Sequence, residues 1–117
     1  MRERAQEGSE VWDPANVPAT YFALAALCVL RDDLSRVDRR GCLAWLRRMQ
    51  RPDGSFGQTL GEDGAVEGGM DTRFGYCAMV TRWILRGEID GDVEGVPDVD
   101  VEALVRCIRG SEVGTLA

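Results

Sequence analysis

The chain has 117 residues, a formal net charge of −6 and 44% hydrophobic residues, the size and polarity of a single globular domain and not of a disordered chain. All fourteen basic residues are arginine and there is no histidine, which removes the commonest general base and metal ligand and excludes a Ser-His or Cys-His dyad within this sequence. The acidic balance argues against general nucleic-acid binding. The longest near-apolar run, 21–30, has ten residues, about half of what a membrane span needs.

Residues 1–17 are polar, carry Asp13-Pro14, and are expected to form a flexible N-terminal arm, leaving 18–117 as the folded domain. The charged stretch 1–10 lacks the apolar core of a secretory signal. Next, 20–31 is rich in Ala and Leu, with apolar residues around most of its circumference, which predicts a helix buried on several sides. Asp38 is placed to cap a second helix running to about Gln50. There Cys42, Trp45, Leu46 and Met49 recur at i, i+3, i+4 and i+7, while Arg39, Arg40, Arg47 and Arg48 take the opposite side. Pro52-Asp53-Gly54-Ser55 is a turn signal, and the Gly-rich, acidic stretch 59–69 is expected to be a solvent loop. Asp71 opens a third helix that runs to Arg86, with Tyr76, Cys77, Val80, Trp83 and Ile84 as its apolar stripe. An acidic loop over 87–97 follows, with no residue expected in the core. Seven carboxylates and no base fall within 88–102, the mark of a solvated segment. Asp98 or Asp100 then caps a fourth helix to about Arg109, with Val101, Leu104, Val105 and Ile108 on one face. No segment alternates long enough to predict a strand, so the chain is expected to be all-α.

The four cysteines, Cys28, Cys42, Cys77 and Cys107, form no CxxC and sit among apolar residues. Reduced, buried thiols of an intracellular protein are the expectation, with a disulfide or metal framework as the alternative. The helices also read as two copies of one hairpin. Tyr21-Phe22-Ala23 aligns with Tyr76-Cys77-Ala78 at a shift of 55, and Leu46 to Met49 aligns with Leu104 to Cys107 at a shift of 58. Such units stack on neighbours to bury their faces, so the chain is expected to belong to a longer array.

Three features carry possible chemistry. In Gln50-Arg51-Pro52-Asp53-Gly54-Ser55-Phe56-Gly57, Pro52 fixes φ, Gly54 supplies a positive φ, Phe56 folds back, and Gln50 serves exposed helix ends. This block is expected to lock one hairpin to the next. In Asp71-Thr72-Arg73-Phe74-Gly75-Tyr76-Cys77-Ala78, Arg73 heads an apolar stripe near a helix N-terminus, where the macrodipole disfavours a cation. It calls for a carboxylate such as Asp71 or for an anionic ligand, and both stay open. The aromatic residues Tyr21, Phe22, Trp45, Phe74, Tyr76 and Trp83 fill a core or wall an apolar ligand cavity, with Tyr21 and Tyr76 at equivalent repeat positions.

At these residues, 20–37, 46–57 and 71–78, the sequence resembles the β subunits of protein prenyltransferases, most nearly those of type I geranylgeranyltransferase. The resemblance implies an α/α toroid, with inner and outer helices alternating around a funnel and this chain holding about two helical hairpins. It implies a cytoplasmic enzyme that pairs with a helical α subunit and binds an isoprenoid diphosphate and the tail of a Cys-aliphatic-aliphatic-X protein. Zinc there activates the acceptor cysteine for attack on C1 of the isoprenoid. Arg73 matches an arginine of the peptide-tail and isoprenoid cavity, Tyr76 a tyrosine that contacts the isoprenoid, and Phe22 a cavity position. No catalytic or metal-binding residue is assigned. The family's zinc ligands (an Asp, a Cys and a His) have no match here, and Cys77 is not that cysteine. The chain is thus expected to be a fragment without its own zinc cofactor and inactive alone. The Asp-Thr-Arg-Phe block also looks like that of the Rab-directed β subunit, and a farnesyltransferase β-subunit fragment is a further alternative. A triterpene-cyclase-like toroid repeats Gln…Gly-x-Trp and carries Asp-x-Asp-Asp, whereas here Phe56 stands in place of Trp and no Asp-x-Asp-Asp occurs. A non-catalytic helical binding module is the remaining alternative.

Overall fold

The structure, a computed structural model, describes residues 14–69 and 71–116, the side chains of 112–116 aside. Of the arm expected over 1–17, residues 1–13 lie outside the described residues; Asn16 and Val17 belong instead to the first helix, as its cap and its first residue, and Val17 is buried in the core. Four helices follow in order: α1 (Val17–Val29), α2 (Arg39–Arg48), α3 (Thr72–Arg86) and α4 (Val101–Leu116). Between α2 and α3 lie two short strands, β1 (Thr59–Leu60) and β2 (Val66–Glu67). Both α1 and α2 pack against α3.

Helix α1 starts at Val17 rather than Thr20 because the Asn16 side chain accepts from the Ala19 N–H at 2.7 Å, an N-cap bond that leaves Pro18 in the first turn, where its missing N–H costs nothing. At its other end the Asp32 N–H reaches the Leu27 carbonyl and the Arg31 N–H reaches Cys28, a Schellman closure. Arg31 takes φ 60° there, a left-handed position usually given to glycine. In α2 the Asp38 carboxylate accepts from Gly41 at 2.9 Å. In α3 the Asp71 carboxylate accepts from Arg73 at 2.8 Å, and in α4 the Asp100 carboxylate accepts from Ala103 at 2.9 Å. Of the two candidates for the α4 cap, Asp100 fills the role. The helix extends well past Arg109, to Leu116.

The core falls into two clusters. Val17, Leu46, Met49, Phe56, Cys77, Ala78, Val99 and Leu104 form the first. Leu24, Leu43, Leu85, Val93 and Val96 form the second. Phe56 is 1% exposed, so the turn block folds back as expected, and its burial contributes about 2–3 kcal/mol. The Gln50 carboxamide donates to the carbonyls of Gly54 at 3.0 Å and Asp100 at 2.8 Å, and accepts from the Asp100 N–H at 2.9 Å. It thereby ties the end of α2 to the start of α4, the locking role expected of it. Gly54 has φ 94°, and a Cβ there would drive into the Ala103 backbone carbonyl, so no other residue fits this crossing.

Several expectations are corrected. The stretch 59–69 is no plain loop: β1 and β2 pair antiparallel, Thr59 opposite Glu67 and Leu60 opposite Val66. The run is too short and Gly-rich for periodicity to mark it as a hairpin. The loop over 87–97 does reach the core. Val93 and Val96, each 5% exposed, exchange backbone hydrogen bonds across Glu94 and Gly95, at φ 50° and 80°, a tight turn with both central residues left-handed. Helix α1 is covered on one side only, with Phe22, Val29 and Leu30 exposed. Helix α3 is rotated from its expected stripe. Gly75, Cys77, Ala78, Thr81, Leu85 and Arg86 are buried, while Tyr76 and Trp83 are 60% and 55% exposed. On α4, Ala103 and Leu104 are buried, whereas Val105 and Ile108 are exposed.

Candidate functional site

The α1–α3 seam sets the geometry. Gly75 and Ala78 bring α3 close to its neighbours and leave the larger rings at the rim. The Tyr21 ring lies 5.0 Å from Phe22 and 5.8 Å from Tyr76, the latter edge-on at 71°, a favoured aromatic arrangement. Tyr21, named from the sequence among the aromatic set and for its repeat position, thus bridges two of the expected site residues. Phe22 is 66% exposed. Interaction with the Tyr76 hydroxyl, a hydrogen bond first and charge second, pushes the Tyr21 phenol above its ordinary value.

Arg73 sits one helical turn before Tyr76. Its Nε and Nη2 donate to Asp71 Oδ2 at 2.9 and 2.6 Å, so the carboxylate called for by the helix dipole is present. The Arg73 hydrogen bonds hold the Asp71 carboxyl below the usual carboxylate range. The Arg73 side chain remains 86% exposed, so a guanidinium edge and the exposed rings of Tyr76 and Phe22, with the half-buried Tyr21 ring in contact with both, lie on the α1–α3 side of the molecule. Such a surface suits a ligand with an anionic or carbonyl end and an apolar body.

The cysteines differ from one another. Cys77 is buried, Cys42 and Cys107 are half-buried, Cys28 is exposed, and all four are free. Only Cys77 matches the expected buried thiol. Burial pushes the Cys42 and Cys77 thiols up, which keeps both from acting as thiolates at neutral pH. Among the described residues, no group of three Cys, Asp or Glu side chains stands close enough to hold a metal ion. The donor set present does not fit the family's zinc, and no chemistry is assigned through it.

Sequence reasoning missed one charged cluster. Arg86, 3% exposed, donates from Nη2 to the carbonyls of Ile89, at 3.2 Å, and Gly91. Its Nε lies 3.4 Å from Asp98 Oδ1, an ion-pair distance without hydrogen-bond geometry, and Nη1 has no partner. Asp98 also accepts a fork from Arg82, Nε to Oδ1 at 2.7 Å and Nη2 to Oδ2 at 2.5 Å. The Arg82 hydrogen bonds, more than any other contact, hold the Asp98 carboxyl below its usual range. An arginine in the last turn of a helix is an ordinary partner of the dipole, so nothing in the sequence signalled that this one is buried.

Four helices, with the Gln50 block tying the end of α2 to the start of α4, carry this aromatic–arginine surface. The prenyltransferase alpha-alpha toroid domain matches residues 3–113, and the chain belongs to that family. It is 35% identical over 78 residues to the protein farnesyltransferase subunit beta of Pyricularia oryzae, covering 65% of this chain and 14% of that protein. It is 35% identical over 71 residues to the geranylgeranyl transferase type-1 subunit beta of Arabidopsis thaliana, covering 61% of this chain and 18% of that protein. The matches thus span less than a fifth of each of these relatives. No solved structure matches. Among the described residues no helix is long and apolar enough to cross a membrane.

Proposed function

We propose that this chain is part of the β subunit of a type I protein geranylgeranyltransferase and supplies a piece of its substrate-facing wall. In the whole enzyme a prenyl group passes from an isoprenoid diphosphate to the cysteine of a Cys-aliphatic-aliphatic-X protein tail, in the cytoplasm and with an α subunit as partner. Phe22 and Tyr76 are the apolar contacts and Arg73 the polar one. The observation that carries this reading is the open surface on which the Phe22, Tyr21 and Tyr76 rings form a chain beside an exposed, ion-paired guanidinium. By itself the chain is inactive on this reading: its sequence has no histidine, and its described carboxylates and thiols do not converge on a metal, so nothing here makes a thiolate of the acceptor.

Equal identity to a farnesyl and a geranylgeranyl subunit keeps farnesyl transfer as the second reading. One experiment addresses both. The matched segment of the Arabidopsis thaliana subunit is replaced by the corresponding residues of this chain, and single-turnover transfer is measured with zinc and the α subunit. Retained geranylgeranyl transfer that falls at least tenfold with Arg73→Ala or Phe22→Ala supports the proposal. A well-assembled chimera whose transfer ignores both substitutions overturns it, and a switch to farnesyl transfer supports the second reading. The chain alone, with zinc and the α subunit, is expected to yield no product.

A further inference from the structure

We propose, resting on the reading of Arg73 as the polar contact of the substrate-facing wall, that Asp71 is its positioning residue: one carboxylate starts α3 and also holds the guanidinium by its inner edge, so that the outer edge is presented to the ligand. The two oxygens of Asp71 divide the work. Oδ1 accepts from the Arg73 N–H at 2.8 Å and closes the first turn. Oδ2 accepts from Arg73 Nε at 2.9 Å and from Nη2 at 2.6 Å. The carboxylate therefore cannot follow the arginine about without giving up the cap. Its side chain is 33% exposed against 86% for Arg73, so Asp71 is the held member of the pair and the guanidinium the presented one.

The anchor is itself fixed from both sides. Before it, the Gly68 carbonyl accepts from Arg51 Nη2 at 2.6 Å. After it, the Phe74 N–H reaches the Asp71 carbonyl at 3.1 Å, the Phe74 ring packs on the first core cluster, and Gly75, Cys77 and Ala78 are buried. The bonds to Oδ2 use Nε and one proton of Nη2. Among the described residues nothing bonds Nη1 or the second Nη2 proton. That leaves the end-on fork, the edge that takes two oxygens of one group. A carboxylate at the end of a protein tail and a phosphate of an isoprenoid diphosphate both offer such a pair. An untethered arginine in solvent has many rotamers to lose on binding, and the tether removes part of that loss beforehand. Exposed ion pairs contribute little to folding, so the effect of this one is expected in binding and not in stability.

Asp71→Asn and Asp71→Ser both keep a good helix cap and remove the second anchoring oxygen. In the full chain, the Nε–H of Arg73, identified by its loss in Arg73→Ala, is followed by nuclear magnetic resonance. It should exchange with water faster in both variants than in the wild type, with little change in melting temperature. Kinetics are measured in the chimeric enzyme with zinc and the α subunit, at about 0.5 M salt to screen the charge of Asp71 itself. Both variants should raise KM about two- to tenfold at nearly unchanged kcat, and should add nothing in an Arg73→Ala background. A rise for the tail peptide assigns the carboxylate as the group held, and a rise for the isoprenoid diphosphate assigns the phosphate. Equal Nε–H exchange in wild type and variants, an unchanged KM where Arg73→Ala raises it, or a rise of the same size in the Arg73→Ala background overturns the positioning role and leaves the reading of Arg73 standing. An Arg73→Ala enzyme with unchanged KM and kcat overturns that reading and the positioning role with it.

Discussion

Asp98→Asn isolates the charge that holds the second hairpin to its acidic loop. The substitution keeps shape and removes the negative charge shared by Arg82 and Arg86. Breaking a buried pair costs about 3–5 kcal/mol because the remaining charge is left without a counterion, whereas an exposed pair contributes about 0–1 kcal/mol. The Arg86 side chain is 2% exposed, but those of Asp98 and Arg82 are 27% and 26% exposed, so the loss falls near the lower end of the buried range, about 3 kcal/mol. For a domain of this size that corresponds to a fall of about 15 °C in melting temperature. The sign of the pH dependence follows from the lowered carboxyl. The stabilisation is complete above the unfolded pKa of about 3.9 and disappears as pH falls through the still lower folded value. Urea unfolding followed by circular dichroism should therefore show a wide gap between wild type and variant at pH 7 that narrows below about pH 4. A gap under about 1 kcal/mol at pH 7, or one that stays constant into acid, refutes the reasoning.

Other outcomes follow from single contacts. Arg31→Gly relieves a left-handed residue at the α1 terminus and should stabilise the chain by about 0.5–1 kcal/mol in the same assay; a destabilisation means that the Arg31 side chain matters more than its backbone. Gln50→Ala removes two hydrogen bonds to Asp100 at the start of α4 and one to Gly54 in the turn and should cost about 1–3 kcal/mol, with faster amide exchange at the start of α4 than elsewhere. Gly54→Ala combines a positive φ with a clash on α4 and should cost at least about 2 kcal/mol; a neutral result shows that the α2–α4 crossing is looser than described.

The helices were legible because their caps are local chemistry. Asp38, Asp71 and Asp100 each bond a backbone N–H two or three residues on, and such spacing is visible in sequence. The Gln50 block was legible for the same reason. The orientation of α1 and α3 was not. Their apolar residues run around most of the helix, so periodicity does not choose a face, and the buried side of α3 is built from small residues, Gly75 against Leu104 of α4 and Ala78 and Thr81 beyond it, rather than from large rings. Tyr76 and Trp83, the bulkiest members of the expected stripe, are for that reason the ones left at the rim. The anchoring of Val93 and Val96 was hidden by the carboxylates around them, and the burial of Arg86 depends on carbonyls of a loop whose path no local signal fixes. At the candidate site, the Asp71–Arg73 pair and the Tyr21–Tyr76 neighbourhood were both within reach of residue spacing. The position of Phe22 beside Tyr21 follows from adjacency alone.

The proposed substrate-facing role of the α1–α3 side is tested most directly by cross-linking. A geranylgeranyl diphosphate analogue with a photoreactive diazirine in its chain is irradiated in the chimeric enzyme, assembled with zinc and the α subunit, and the adducts are mapped by mass spectrometry. Adducts on Phe22 and within 73–76 are the predicted result. Labelling confined to the exposed arginines of α2, Arg40, Arg47 and Arg48, with none at Phe22 or Tyr76, contradicts the assignment.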